Sequence, residues 1–259
     1  MKRLIYIFLF ITLTVFSQEN IEAEFVKKTS FKADTIIGID NFKTLYFLKD
    51  NILNKGKDGK TINYSNVQLG NITSVNTFNP LKINVFYKAF NTVIILDNRL
   101  AEIFKIDFNL LKDYKNVTHV TTGYDSTIWI FNQDLQQLEL FDYKLNKTRA
   151  KTLPVQSEVL DITSNYNSCW LLTKNFLYQY NYFGSLIQKI ENTGFTKIKE
   201  SNENIILKKE NALFFLPKKS KAIQPIKISN LLISQFFVTN QNLYIYSGET
   251  LHQYQLKMK

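Results

Sequence analysis

The chain has 259 residues, 32 Lys and Arg against 22 Asp and Glu, a formal net charge of +10, and 45% hydrophobic residues. That apolar fraction excludes a disordered polyelectrolyte, one Cys excludes an intramolecular disulfide framework, and two His with one Cys argue against a Cys/His zinc site. The lysines lie in scattered pairs, Lys27-Lys28, Lys208-Lys209 and Lys218-Lys219, so the surplus reads as a solvated basic surface and no nucleic-acid partner is expected.

Residues 1–18 read as a cleaved signal peptide. Lys2 and Arg3 supply the positive start, Leu4 to Phe16 form an apolar run broken only by Thr12 and Thr14, and Ser17-Gln18 mark a polar boundary with a small residue. The run is too short for a comfortable membrane span. No Cys stands at the boundary, so a lipid anchor is not expected. Export leaves residues 19–259 as one domain; losing Lys2 and Arg3 leaves 30 basic against 22 acidic residues, a net +8.

The remainder shows almost no helical periodicity. What recurs is an apolar-aromatic run, a polar turn and a second alternating run, the pattern of a β-hairpin. In chain order the copies are Leu45-Tyr46-Phe47-Leu48 with Ile52-Leu53, Ile83-Asn84-Val85-Phe86 with Thr92 to Leu96, and Ile128-Trp129-Ile130-Phe131 with Leu138 to Asp142. Three more follow: Cys169-Trp170-Leu171-Leu172 with Phe176 to Tyr180, Ile205-Ile206-Leu207 with Ala212 to Leu216, and Leu243 to Tyr246 with Leu251 to Leu256. The first strands begin near 45, 83, 128, 169, 205 and 243, with spacings of 38, 45, 41, 36 and 38. A period near 40 built from hairpins predicts an all-β propeller, because a twisted blade covers its faces only by packing on neighbouring blades. Six blades are expected, or seven if Glu24 to Lys32 and the C-terminal strand form a further one.

No Gly-x-Ser-x-Gly, His-Glu-x-x-His or phosphate-cradling glycine loop occurs. Cys169 beside Trp170 reads as a core residue, since His119 and His252 are both remote in sequence. Asp97, Asp142 and Asp161 fall near strand ends, where Asp usually serves a turn. The expectation is no catalytic residue, no metal and no cofactor. One local feature stands out: the second copy turns through Tyr87-Lys88-Ala89-Phe90-Asn91, with an aromatic near the tip, after the irregular Asn76 to Leu81 segment. Aromatics beside a cation suit a partner surface, so Phe78, Asn79, Pro80, Tyr87, Lys88 and Phe90 are the expected contact residues.

Within Tyr64 to Asp142, the runs Asn79-Pro80-Leu81-Lys82, Phe90 to Asn98, Trp129-Ile130-Phe131-Asn132 and Gln136-Gln137-Leu138-Glu139 resemble a small periplasmic propeller family of Bacteroidetes. That family includes the plug subunit of the type IX secretion translocon. The resemblance implies a periplasmic protein that sits under an outer-membrane β-barrel and closes its mouth. Its partners would be barrel translocon proteins; no membrane span of its own and no small-molecule substrate is expected. A soluble ligand- or glycan-binding propeller and an exported lyase or glycosidase are the competing classes.

Overall fold

The hairpin strands are apolar along their whole length because both of their faces are covered. Ile128 and Ile130 pack toward one neighbouring sheet, with Phe86, Val93 and Ile95, while Trp129 and Phe131 pack toward the other, with Cys169 and Leu171. Trp170 and Leu172 repeat the alternation one sheet further on, against Ile198, Ile205 and Leu207. A strand buried on both faces reads as a continuous apolar run, and period two then sorts its side chains between two cores.

The computed structural model describes residues 21–229 and 231–257, so the expected signal peptide lies outside the described residues. After β1 (Ile21–Ser30), blade 1 comprises β2 (Thr35–Ile39), β3 (Leu45–Lys49), β4 (Ile52–Lys57) and β5 (Lys60–Tyr64). Blade 2 is β6 (Ser74–Asn76), β7 (Ile83–Tyr87), β8 (Thr92–Leu96) and β9 (Glu102–Asp107). Blade 3 is β10 (Val117–Thr122), β11 (Thr127–Asn132), β12 (Gln137–Asp142) and β13 (Lys147–Lys151). Blade 4 is β14 (Val159–Ser164), β15 (Ser168–Thr173), β16 (Phe176–Asn181) and β17 (Leu186–Glu191). Blade 5 is β18 (Lys197–Ser201), β19 (Asn204–Lys209), β20 (Ala212–Leu216) and β21 (Gln224–Lys227).

Blade 6 takes three strands from the end of the chain, β22 (Gln235–Thr239), β23 (Asn242–Ser247) and β24 (Thr250–Lys257), and its fourth from the beginning. β1 runs antiparallel to β24 from Glu22↔Lys257 to Ser30↔Thr250, and its first two residues also pair with β21 in parallel. The N-terminal strand therefore completes the sixth blade and forms no seventh. The first strand of each blade lies innermost: β6, β10, β14, β18, β22 and β2 meet around the axis. At the last of these approaches Gly38 of β2 faces Thr77 after β6, where an added Cβ would lie 3.7 Å from its hydroxyl.

The seams between blades are unequal. Five are filled by eight or more buried side chains each. Among the described residues the seam between blades 6 and 1 buries just Ile36, Phe237 and Tyr246, with Phe31, Phe47 and Tyr244 partly buried against them. Polar stitching supplements packing there. The Tyr246 hydroxyl contacts the carbonyls of Phe31 and Ala33 (both 3.0 Å) and accepts from the Ala33 amide (3.1 Å). Gln235 Oε1 accepts from the Ile36 amide (2.7 Å), and Thr239 donates to the Ile39 carbonyl (2.6 Å).

With only 8 glycines, the chain makes tight turns from other residues. Asp50-Asn51, Asn202-Glu203 and Asn240-Gln241 each place two consecutive residues at positive φ, the signature of the hairpin turn that matches strand twist. Asn and Asp tolerate that region because their short side chains bond locally.

Candidate functional site

Two kinds of loop emerge at opposite ends of the ring. Connections between the first and second, and the third and fourth, strands of each blade form what we call the lower face; the remaining connections form the upper face. The expected contact residues divide between them. Phe78, Asn79 and Pro80 lie on the lower face, between β6 and β7, whereas Lys88 and Phe90 lie on the upper face, between β7 and β8. Tyr87 is a correction: it is fully buried in the core between blades 1 and 2, so it presents nothing to a partner. The reason is its register, since Tyr87 ends a strand covered on both faces.

On the upper face Phe90 is about half exposed and lies against Gly70, and the turn is fixed by Asn91 in the left-handed region (φ 49). On the lower face the 77–82 segment is irregular yet held. Asn76 Oδ1 accepts from the Phe78 amide (3.1 Å), and Asn79 Oδ1 accepts from the Leu81 amide (3.0 Å). Phe78 packs edge-on against Tyr166 of blade 4, with ring centroids 5.0 Å apart, so it leans past blade 3.

Between these rings and Phe42 opens the lower mouth of the axial channel, a cavity of about 270 Å³. Residues from blades 1, 2, 4, 5 and 6 line it. Its wall is tied from blade to blade by side-chain hydrogen bonds. Asn76 donates to Thr121 Oγ1 (3.0 Å) and accepts from Thr122 Oγ1 (2.8 Å); Thr121 and Ser164 hydroxyls lie 2.9 Å apart. Asn165 then donates to Glu200 Oε1 (3.1 Å), and Asn240 to Asn41 Oδ1 (2.9 Å) across the closing seam. Burial pushes the Glu200 carboxyl above its ordinary pKa, against the bonds from the Glu203 amide and Asn165.

At the upper end of the channel His119 of β10 is largely buried. Burial lowers its pKa to about 4; Asp161 opposes that shift, and Lys88 and Lys197 add to it. Its Nδ1 lies 3.1 Å from the Thr118 hydroxyl. Asp161 does not serve a turn as the sequence suggested. Its carboxylate accepts from the amides of Ile162 (3.1 Å) and Ile198 (3.0 Å), joining blades 4 and 5. Asp97 does cap a turn, accepting from the amides of Arg99 (2.8 Å) and Ala101 (2.9 Å). Asp142 accepts from the amides of Lys144 and Leu145 and pairs with Arg149 at 2.7 Å. Cys169 is wholly buried, and burial drives its thiol pKa well up, so it is no nucleophile.

Sequence reasoning missed the mouth residues Thr77, Ser164, Glu200, Ser201 and Asn202. All lie at or just beyond the end of an inner strand, in polar stretches without a motif, and only the ring brings the three stretches together.

No family model matches the chain, and no curated protein matches its sequence. Solved structures do match its shape. Virginiamycin B lyase from Staphylococcus aureus superposes with a TM-score of 0.61 at 12% identity, over 85% of this chain and 79% of that one. The Pan2 WD40 domain of Neurospora crassa gives 0.59 at 8% identity, over 92% and 83%. The chain is a β-propeller. PorZ, a surface component of the type IX secretion system of Porphyromonas gingivalis, gives 0.52 at 14% identity, over 84% of this propeller but 31% of that longer chain. At such identities the likeness is one of fold, and these neighbours include an enzyme as well as non-enzymes. No helix among the described residues is long and apolar enough to cross a membrane.

Proposed function

We propose that this propeller is an exported, non-catalytic interaction protein that closes the periplasmic end of an outer-membrane secretion barrel of the type IX kind. The observation that carries the reading is the placement of exposed apolar side chains on loops at both flat ends of a rigid ring. The lower face shows Phe42, Phe78, Leu81 and Phe183, and the upper face shows Val67, Phe90, Leu110 and Leu153. Large apolar groups held on loops of a stiff scaffold suit protein contact. A disc of this kind seals an aqueous opening by shape alone.

The sequence resemblance in the Tyr64 to Asp142 region supports the type IX assignment, and the fold likeness to PorZ agrees with it. The non-catalytic reading draws on the chemistry of the titratable groups, since Cys169 is inert and Asp97, Asp142 and Asp161 are occupied in structural bonds. The test is affinity purification of the tagged native protein from the cell envelope in detergent. The expected result is co-purification of a large outer-membrane β-barrel, and raised outer-membrane permeability in a deletion strain. If no barrel accompanies it and permeability is unchanged by deletion, the reading is wrong.

A further inference from the structure

The lower mouth collects polar side chains of two kinds. Some are used by the fold: Asn76 accepts from the Phe78 amide and Asn240 donates to Asn41. Around the mouth, the side chains of Thr77, Lys199, Ser201 and Asn202 form no hydrogen bond or ion pair among the described residues, although all four line the cavity. Glu200 belongs with them. Both of its bonds, from Asn165 and from the Glu203 amide (2.7 Å), reach Oε1, which leaves Oε2 of this half-buried side chain without a donor among the described residues.

These groups carry mixed capability. Lys199 donates, Glu200 Oε2 accepts, and the hydroxyls and the amide do both. A simple anion would meet Glu200 and a simple cation would meet Lys199, so neither suits the set. An apolar ligand would leave all five groups desolvated and unpaired. A neutral ligand with several hydroxyls on a rigid frame satisfies donors and acceptors together. The rim supplies the other half of the fit. Phe42 and Phe78 stand 68% and 40% exposed at the cavity edge, and Tyr166 fixes Phe78 from the side. An aromatic face at the edge of a polar bowl matches a sugar ring, which is polar at its rim and apolar across its C–H face.

We infer that the lower mouth of the axial channel binds a neutral hexose unit, free or at the end of a glycan. The ring enters the cavity, Glu200 Oε2 takes a hydroxyl from the blade 4 side and Lys199 another from the blade 6 side, Asn202 and Thr77 take others, and the C–H face rests on Phe78. The wall is preorganised by the blade-to-blade bonds through Asn76, Thr121 and Ser164, so little order is lost on binding. Phe42 and Phe78 also stand on the lower face proposed above to meet a secretion barrel, but sugar binding needs only the purified chain.

Saturation-transfer NMR on the purified protein with methyl α-mannoside, methyl β-galactoside and N-acetylglucosamine tests it. At least one is expected to receive saturation. Asn202→Gly, which keeps the left-handed turn, and Phe78→Ala are each expected to weaken that binding by about tenfold, the size of one lost polar or stacking contact. Phe90→Ala on the opposite face is expected to leave it unchanged. Circular dichroism checks the fold, and Thr77→Val gives the same reading should Phe78→Ala not fold. Saturation of none of the three sugars overturns the site. So does equal binding by Asn202→Gly and Phe78→Ala, or binding of glucuronate or glucosamine in place of the neutral sugars. A negative result here leaves the envelope purification unaffected, and the reverse also holds.

Discussion

Lys115 Nζ lies 2.6 Å from Glu139 Oε2, with the two side chains only 10% and 2% exposed. Lys115 reaches in from the loop before β10, and Glu139 sits mid-way along β12. Glu139 is otherwise held by Asn132 Nδ2 (2.8 Å) and Thr148 Oγ1 (2.6 Å), so the carboxylate is fully bonded inside blade 3. Removing one partner of a buried pair leaves the other charge uncompensated. Lys115→Met should therefore cost about 3–5 kcal/mol in urea unfolding. Adding Glu139→Gln, which keeps the Asn132 and Thr148 contacts in neutral form, should recover most of the loss.

The same pair sets a pH dependence. Burial raises the Glu139 pKa, but the bonds from Lys115, Thr148 and Asn132 outweigh it and hold the pKa below its ordinary 4.5. A depressed carboxyl contributes stability that is complete above the unfolded pKa and is lost as pH falls through the folded one. The stability gap between the native chain and the Lys115→Met, Glu139→Gln double variant should narrow as pH drops below about 4.5, read as urea midpoints across a pH series.

His119 acts in a higher window. Its folded pKa of about 4 lies below the ordinary 6.5, so between those values the unfolded chain binds the extra proton. Stability is complete above pH 6.5 and declines toward pH 4, by up to about 3 kcal/mol. His119→Asn should flatten that part of the profile, and NMR titration of the imidazole should show a midpoint well below that of His252, which is much less buried.

Gly184 stands at φ 80, between β16 and β17, and a Cβ there would lie 2.7 Å from the Lys151 carbonyl oxygen of the neighbouring blade. Both the backbone angle and the approach require glycine. Gly184→Ala should lower stability by about 1–3 kcal/mol in thermal unfolding. A variant as stable as the native chain would mean that blades 3 and 4 are further apart than described.

At the loosely packed seam, Tyr246→Phe removes a hydroxyl that binds three backbone groups of the 31–33 link. A loss of about 1–2 kcal/mol is expected, with faster amide exchange at Phe31 and Ala33. Removing residues 19–30 should do more. It bares the edge of β24, and the chain should then associate or lose its single cooperative transition, as seen by sedimentation and calorimetry.

The middle strands were legible because the ring buries them on both faces, which prints runs such as Ile128 to Phe131 and Cys169 to Leu172 into the sequence. The inner and outer strands were not. β6 (Ser-Val-Asn) and β18 (Lys-Ile-Lys-Glu-Ser) border the polar channel, and β13 and β17 are exposed along alternate positions, so neither kind carries a strong apolar signal. The site followed the same rule. Phe90 drew attention as an aromatic in a turn, and it is about half exposed. Glu200 and Asn202 had no local mark, since their meaning comes from groups on other blades. Tyr87 misled because its neighbours Lys88 and Phe90 are exposed, while its own register sends it inward.

The pairing of β1 with β24 also fixes a sequence of events in time. Blades 1 to 5 are contiguous stretches with local strand pairings, but the sixth joins residues about 230 apart in the chain. Synthesis from the N-terminus delivers β1 first and its partner last. Until β24 arrives, the leading strand is a ribbon of ten residues without its antiparallel partner, with Phe25 and Val26 uncovered and a bulge, two glutamates and two lysines as shields. Ring closure is thus a clock that stops when the last strand is delivered, and a chaperone able to cap a lone β-edge would hold the molecule open until then.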